Sequence, residues 1–160
     1  QTCALPILLR IVNELLKPPP RDGAATNLSG LIEAGVNTIK RRSLVFIVSD
    51  FLGDSGWERP LPMLAQRHDV VAIRIVDPRE IEFPDVGLVV LEDSETGEQI
   101  FVDTSDATLR ARLTTTAHAR EERMDAAFRR AGVEPFTIRT DEDLVGALVR
   151  LAGQRKRAVR

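Results

Sequence analysis

Asp50 is the residue of this 160-residue sequence best placed to do chemistry. It closes the apolar run Ser43-Leu44-Val45-Phe46-Ile47-Val48-Ser49 and opens a loop containing Gly53, Asp54, Ser55 and Gly56. A carboxylate leaving a buried strand beside a second acid offers the hard oxygens that a cation such as Mg²⁺ takes. The same carboxylate could instead cap the turn that follows. Thr26 stands where a helical pattern begins, so its hydroxyl serves either as an N-cap or as a neutral oxygen ligand. Asp77 ends a second apolar run before Pro78, with Glu80 and Asp85 beyond it. Its plainer role is to fix that turn, and the plainer place for the other two is a solvated loop. His68 and His118 have no nucleophile near them in sequence and read as structural or exposed. Trp57, in the loop after Asp50, is either an anchor for the next helix or an exposed contact for a partner. The sequence has no P-loop, GxGxxG, GxSxG or HExxH pattern. One Cys and two His exclude a disulfide framework and a Cys/His zinc site.

These residues need a scaffold, and composition allows one. The chain is 43% hydrophobic and 29% charged, with a formal charge of -2. It is long enough for one core and lacks the basic excess of a nucleic-acid binder. No apolar run approaches the ~20 residues of a membrane helix, and the cysteine usage suits a reducing, cytoplasmic setting. Apolar periodicity predicts helices over Leu8–Lys17, ended by Pro18-Pro19-Pro20, and from Thr26 or Asn27 to the basic run Lys40-Arg41-Arg42. A buried parallel strand over Leu44–Val48 follows, then a helix from Trp57 to Arg67 and a strand over Val70–Val76, together a βαβ unit. Leu88–Glu92 and Gln99–Asp103 flank turn residues and predict a β-hairpin. A long helix from Asp106 to a C-terminal Gly132, a strand over Pro135–Arg139 and a helix capped by Thr140–Asp143 complete the domain, before a basic tail over 154–160. The alternation predicts a three-layer α/β domain with a mostly parallel sheet and an inserted hairpin. Ligands of such sheets sit beyond the carboxyl ends of the strands, where Asp50 and Asp77 lie. The opening string Gln1–Ile7 matches the translated end of a sequencing adapter and is expected to lie outside the domain, which leaves Cys3 without a role.

The ordered set of Ser43–Leu52, Arg67-His68-Asp69-Val70-Val71-Ala72 and Val76-Asp77-Pro78-Arg79-Glu80 resembles the C-terminal half of bacterial proteins in domain-of-unknown-function family 58. So do Pro84-Asp85-Val86-Gly87, Asp103-Thr104-Ser105, Ala131-Gly132-Val133 and Thr140-Asp141-Glu142-Asp143. The resemblance covers nearly the whole chain from Leu8. It implies a von Willebrand factor A-like, Rossmann-like domain over residues 8–153, present as a fragment of which the N-terminal part is missing. The implied sheet order is 3-2-1-4-5-6, and this chain supplies strands four to six. Strand four, Leu44–Val48, would then be an exposed apolar edge, so the resemblance predicts poor solubility. It also implies a Mg²⁺-type metal-ion-dependent adhesion site, with Thr26 and Asp50 matching two of its three motif parts. The Asp-x-Ser-x-Ser part has no counterpart here.

The expected function is non-enzymatic. A partner carboxylate would be captured at the open position of the metal, with Phe51, Leu52 and Trp57 as an apolar rim. The partners implied are a MoxR-type AAA+ ATPase and client proteins under assembly or maturation, and some relatives carry a membrane anchor. Two alternatives stay open: a structural interaction module with a degenerate metal site, and a small phosphoryl-transfer or hydrolase enzyme using Asp50, with Asp77 as a second acid.

Overall fold

The computed structural model describes residues 4–17, 26–53, 56–82, 84–92 and 99–158. The expected proline stop at 18–20, the loop at 21–25, Asp54 and Ser55 and the hairpin turn at 93–98 lie outside them. The elements run α1 (Ala4–Leu15), α2 (Leu28–Thr38), β1 (Leu44–Ser49), α3 (Pro60–Arg67), β2 (Asp69–Val76), β3 (Leu88–Glu92), β4 (Gln99–Asp103), α4 (Ala107–Ala131), β5 (Phe136–Arg139) and α5 (Leu144–Ala158). A short 3₁₀ turn, Pro78–Glu80, follows β2. The main sheet has the order β1-β2-β5, all parallel, and β3 and β4 form a separate antiparallel pair. This is a mixed α/β fold, as the strand–helix alternation implies.

Register decides which side chains reach which layer. Ile47 of β1 stands opposite Ala72 of β2. Both face a core built with Ile32 and Val36 of α2, Leu61 and Leu64 of α3, and Met124, Ala127 and Phe128 of α4. The alternate residues Val71 and Ile73 point the other way and pack with Ile138 of β5 and Ala147 of α5. Helices therefore cover both faces of β2, and the run Val71–Arg74 is buried without a break, as expected of a central parallel strand. The α5 face does not extend over β1. Leu44, Phe46 and Val48 share it by register and remain exposed, and β1 is an edge of the described sheet. The apolar side chains of α1, among them Leu8, Ile11 and Leu15, are exposed as well. Among the described residues no helix is long and apolar enough to cross a membrane.

Three helix boundaries differ from the sequence expectation: α1 begins at Ala4, inside the string expected to lie outside the domain, α2 ends at Thr38, before the basic run Lys40–Arg42, and α3 begins late. The helix expected from Trp57 starts at Pro60, the position that its fixed φ favours, and residues 56–59 form turns ahead of it.

Candidate functional site

The carboxyl ends of β1 and β2 carry the polar residues singled out above. Asp50 follows the last residue of β1 and is exposed. Its Oδ1 accepts from the Leu52 N–H at 3.0 Å and lies 3.4 Å from the Ser49 hydroxyl. The Ser49 Oγ in turn accepts from the Phe51 N–H at 3.0 Å. The capping role considered for Asp50 is therefore real, and it fixes the direction in which the carboxylate leaves the strand.

Thr26 arrives from the other side. Asn27, rather than Thr26, caps α2: its Oδ1 accepts from the Gly30 N–H at 2.7 Å. Thr26 is thus the last residue before the cap, and its backbone lies against the Asp50 loop. A Cβ built on Gly53 would stand 3.3 Å from the Thr26 carbonyl oxygen, so the small residue sets how closely the two loops approach. Thr26, Leu28, Ser49, Asp50 and Gly53 line one cavity of about 250 Å³. The two residues expected to act together therefore meet, although 23 residues separate them in sequence. Ser49 was not singled out from the sequence; a serine directly before a strand-ending aspartate was the available signal.

The apolar rim is corrected. Phe51 and Trp57 are each 3% exposed and form an aromatic cluster with Phe128 of α4, with ring centroids 5.0–5.1 Å apart. Burial of so much aromatic surface outweighs any gain from presenting it to a partner. The anchor reading of Trp57 holds and the contact reading does not. Leu52 is half-buried and packs at the margin of the same core.

Glu80 is exposed in the 3₁₀ turn after β2, as the expected solvated loop implies, and lies near this end of the sheet. Partial burial pushes its carboxyl above the usual range, and the nearby Asp50 and Asp77 carboxylates add to this, against Arg120 and Arg74. Asp77 itself caps the 3₁₀ turn, its Oδ1 accepting from the Arg79 N–H at 2.9 Å. Arg74 is buried on β2 and makes a two-pronged pair with Glu121 of α4 at 2.7 and 2.5 Å. His68 is buried and its Nδ1 accepts from the Ser43 N–H, a structural role, whereas His118 is exposed on α4.

The donor chemistry around Asp50 suits a hard cation only in part. Thr26, Ser49 and Asp50 are oxygen-bearing residues lining one cavity, but no group of three or more His, Cys, Asp or Glu is placed to hold a metal among the described residues. A Mg²⁺ ion takes about six ligands, several of them commonly water. A larger cavity of about 1050 Å³ opens at the other end of the sheet, between Arg42, Asp69, Glu134 and Arg150. It lies at the amino ends of β2 and β5, where open α/β sheets do not place their ligands.

The chain is 39% identical over 150 residues to the uncharacterized protein MAV169 of Mycobacterium avium, covering 94% of this chain and 87% of that protein. It is 36% identical over 150 residues to the uncharacterized proteins Mb1516 of Mycobacterium bovis and Rv1480 of Mycobacterium tuberculosis. It spans 94% of its own length in those matches but only 46% of theirs, so the chain covers about half of these longer relatives. No solved structure is significantly similar to the chain. The family model described as "Protein of unknown function DUF58" matches residues 6–123, and the chain belongs to that family.

Proposed function

We propose that this domain is a metal-assisted, non-enzymatic protein-binding adaptor that works with a MoxR-type AAA+ ATPase in the assembly or maturation of other proteins. The observation that supports it is the meeting of Thr26 and Asp50 at one cavity beyond the carboxyl ends of the parallel strands. These are the two residues that match an adhesion-site motif of the von Willebrand factor A-like fold. A divalent cation bound there would supply Lewis acidity toward a client carboxylate, with Asp50 as its anionic ligand and Thr26 as a neutral one, and the Ser49–Asp50 contacts hold the Asp50 carboxylate in place. Gly53 keeps the Thr26 loop close enough for both to reach the same space.

The direct test uses Mn²⁺ as the probe, followed by electron paramagnetic resonance on a full-length protein of the family. Wild type should bind Mn²⁺ at one site, and Asp50→Ala should weaken that binding at least ~10-fold, as loss of a direct ligand demands. Equal binding by the two proteins would sink the metal mechanism. In that case the absence of a third acidic ligand among the described residues favours a structural interaction module at the same cavity.

A further inference from the structure

The β3–β4 hairpin stands apart from the site and from the core. Among the described residues its strands pair only with each other, and an isolated two-stranded ribbon in water is marginal. Register places Leu88, Val90 and Phe101 on one face, since Val90 pairs with Phe101 and Leu88 with Asp103. These three apolar side chains are 71%, 49% and 75% exposed. The opposite face carries the half-buried Val89 and Val102 together with Leu91 and Ile100, which are 37% and 52% exposed, so apolar surface is solvated on both faces of the ribbon.

The root of the hairpin is firmly held. Thr104 is buried; its hydroxyl donates to the Gly87 carbonyl at 2.7 Å and accepts from the Val86 N–H at 3.0 Å. The Arg110 guanidinium donates to the Thr104 carbonyl and lies 3.4 Å from the Asp85 carboxylate. A fixed root presenting an apolar, solvated face suits a docking element better than a loop that merely connects β2 to α4.

Charge says what can cover that face. Between Arg79 and Arg110 stand nine Asp or Glu and no Lys or Arg, so all 22 basic residues lie outside this stretch. Nucleic acid and anionic lipid are repelled by such a segment. Two copies of so acidic a stretch of sequence repel each other, which disfavours a second copy as the occupant. A protein surface with an apolar groove and a basic rim is the complementary occupant.

We propose that the β3–β4 hairpin is an acidic docking arm whose Leu88, Val90 and Phe101 seat in an apolar, Lys/Arg-rimmed groove of the AAA+ ATPase partner. This rests on the ATPase partnership proposed above and assigns it to a surface other than the Asp50 cavity. The test measures binding of a full-length family protein to the purified MoxR-type ATPase, in Mg²⁺ and ATP, at low and high salt. Phe101→Ser with Leu88→Ser should weaken binding at least ~10-fold, as expected for loss of a central apolar anchor. Val149→Ser, an equally solvated change on α5, should not. Binding by wild type should also fall as salt rises.

Equal affinity of the hairpin variant and wild type overturns the arm alone and leaves the partnership standing. An equal loss in Val149→Ser overturns it too, because the effect would not be specific to the hairpin. No wild-type binding at any salt overturns the partnership, and the arm with it. A hairpin variant that turns a wild-type dimer into a monomer on sedimentation makes a second copy the occupant and overturns the arm as stated.

Discussion

Phe51 adopts φ 60°, a left-handed conformation that costs a bulky L residue about 1–3 kcal/mol. The strain is held by the ring's place between Trp57 and Phe128 and by the bond from its N–H to Ser49. It turns the chain sharply after Asp50 and so sets where that carboxylate points. Phe51→Ala keeps the strain and loses the ring, and should cost about 3–5 kcal/mol in urea unfolding. Phe51→Gly loses the same ring but relieves the backbone, so it should be the milder of the two by about 1 kcal/mol. The usual order, with Ala milder than Gly, would show that no strain is stored there. The Arg74–Glu121 pair is the other residue-scale commitment, since Arg74 keeps only 9% of its side chain exposed. Glu121→Ala strands that guanidinium and should cost about 3–5 kcal/mol, whereas Arg74→Met with Glu121→Leu together should cost far less. A double variant as unstable as the single one would mean that the pair matters for more than mutual neutralisation.

Elements with strong punctuation were readable from the sequence. Asp106 caps α4 through the Thr108 and Leu109 N–H groups, and Gly132 ends that helix at φ 65°. Both are local signals, and so are the alternating strands of the hairpin on either side of a Gly-containing turn. Trp57 was not readable in this way, because its ring is held by Phe128, far along the chain, and no local pattern reports that contact. Thr26 and Asn27 are both acceptable caps, and only the fold shows that Asn27 takes the Gly30 N–H. Asn27→Ala should therefore cost about 1 kcal/mol, and Thr26→Ala, which removes no cap, should cost less by thermal unfolding. Gly132→Ala should cost about 1–2 kcal/mol, since no L side chain sits comfortably at that φ. The meeting of Thr26 with Asp50 belongs to neither element alone. Spacing could not supply it; the family resemblance paired the two residues, and the approach of the α2 and β1 loops places them at one cavity.

At the scale of the whole molecule the unbalanced feature is β1. One of its faces is sealed by α2 and α3 through Ile47, while the other leaves Phe46 and Val48 exposed at 53% and 61%. It is also an edge of the described sheet. An apolar edge of this kind invites strand-to-strand association between copies. The chain by itself should therefore self-associate in a concentration-dependent way, as light scattering would show. Phe46→Lys with Val48→Lys places charges on the open face without touching the α2–α3 core. It should reduce that association while leaving the thermal midpoint within a few degrees. If scattering is unchanged in the double variant, the apolar side chains of α1 become the source, and Ile11→Lys on α1 should then act instead. A longer member of the family should behave as the double variant does if strand four of a von Willebrand factor A-like sheet is central in it, because the added strands would then cover the edge that these lysines protect.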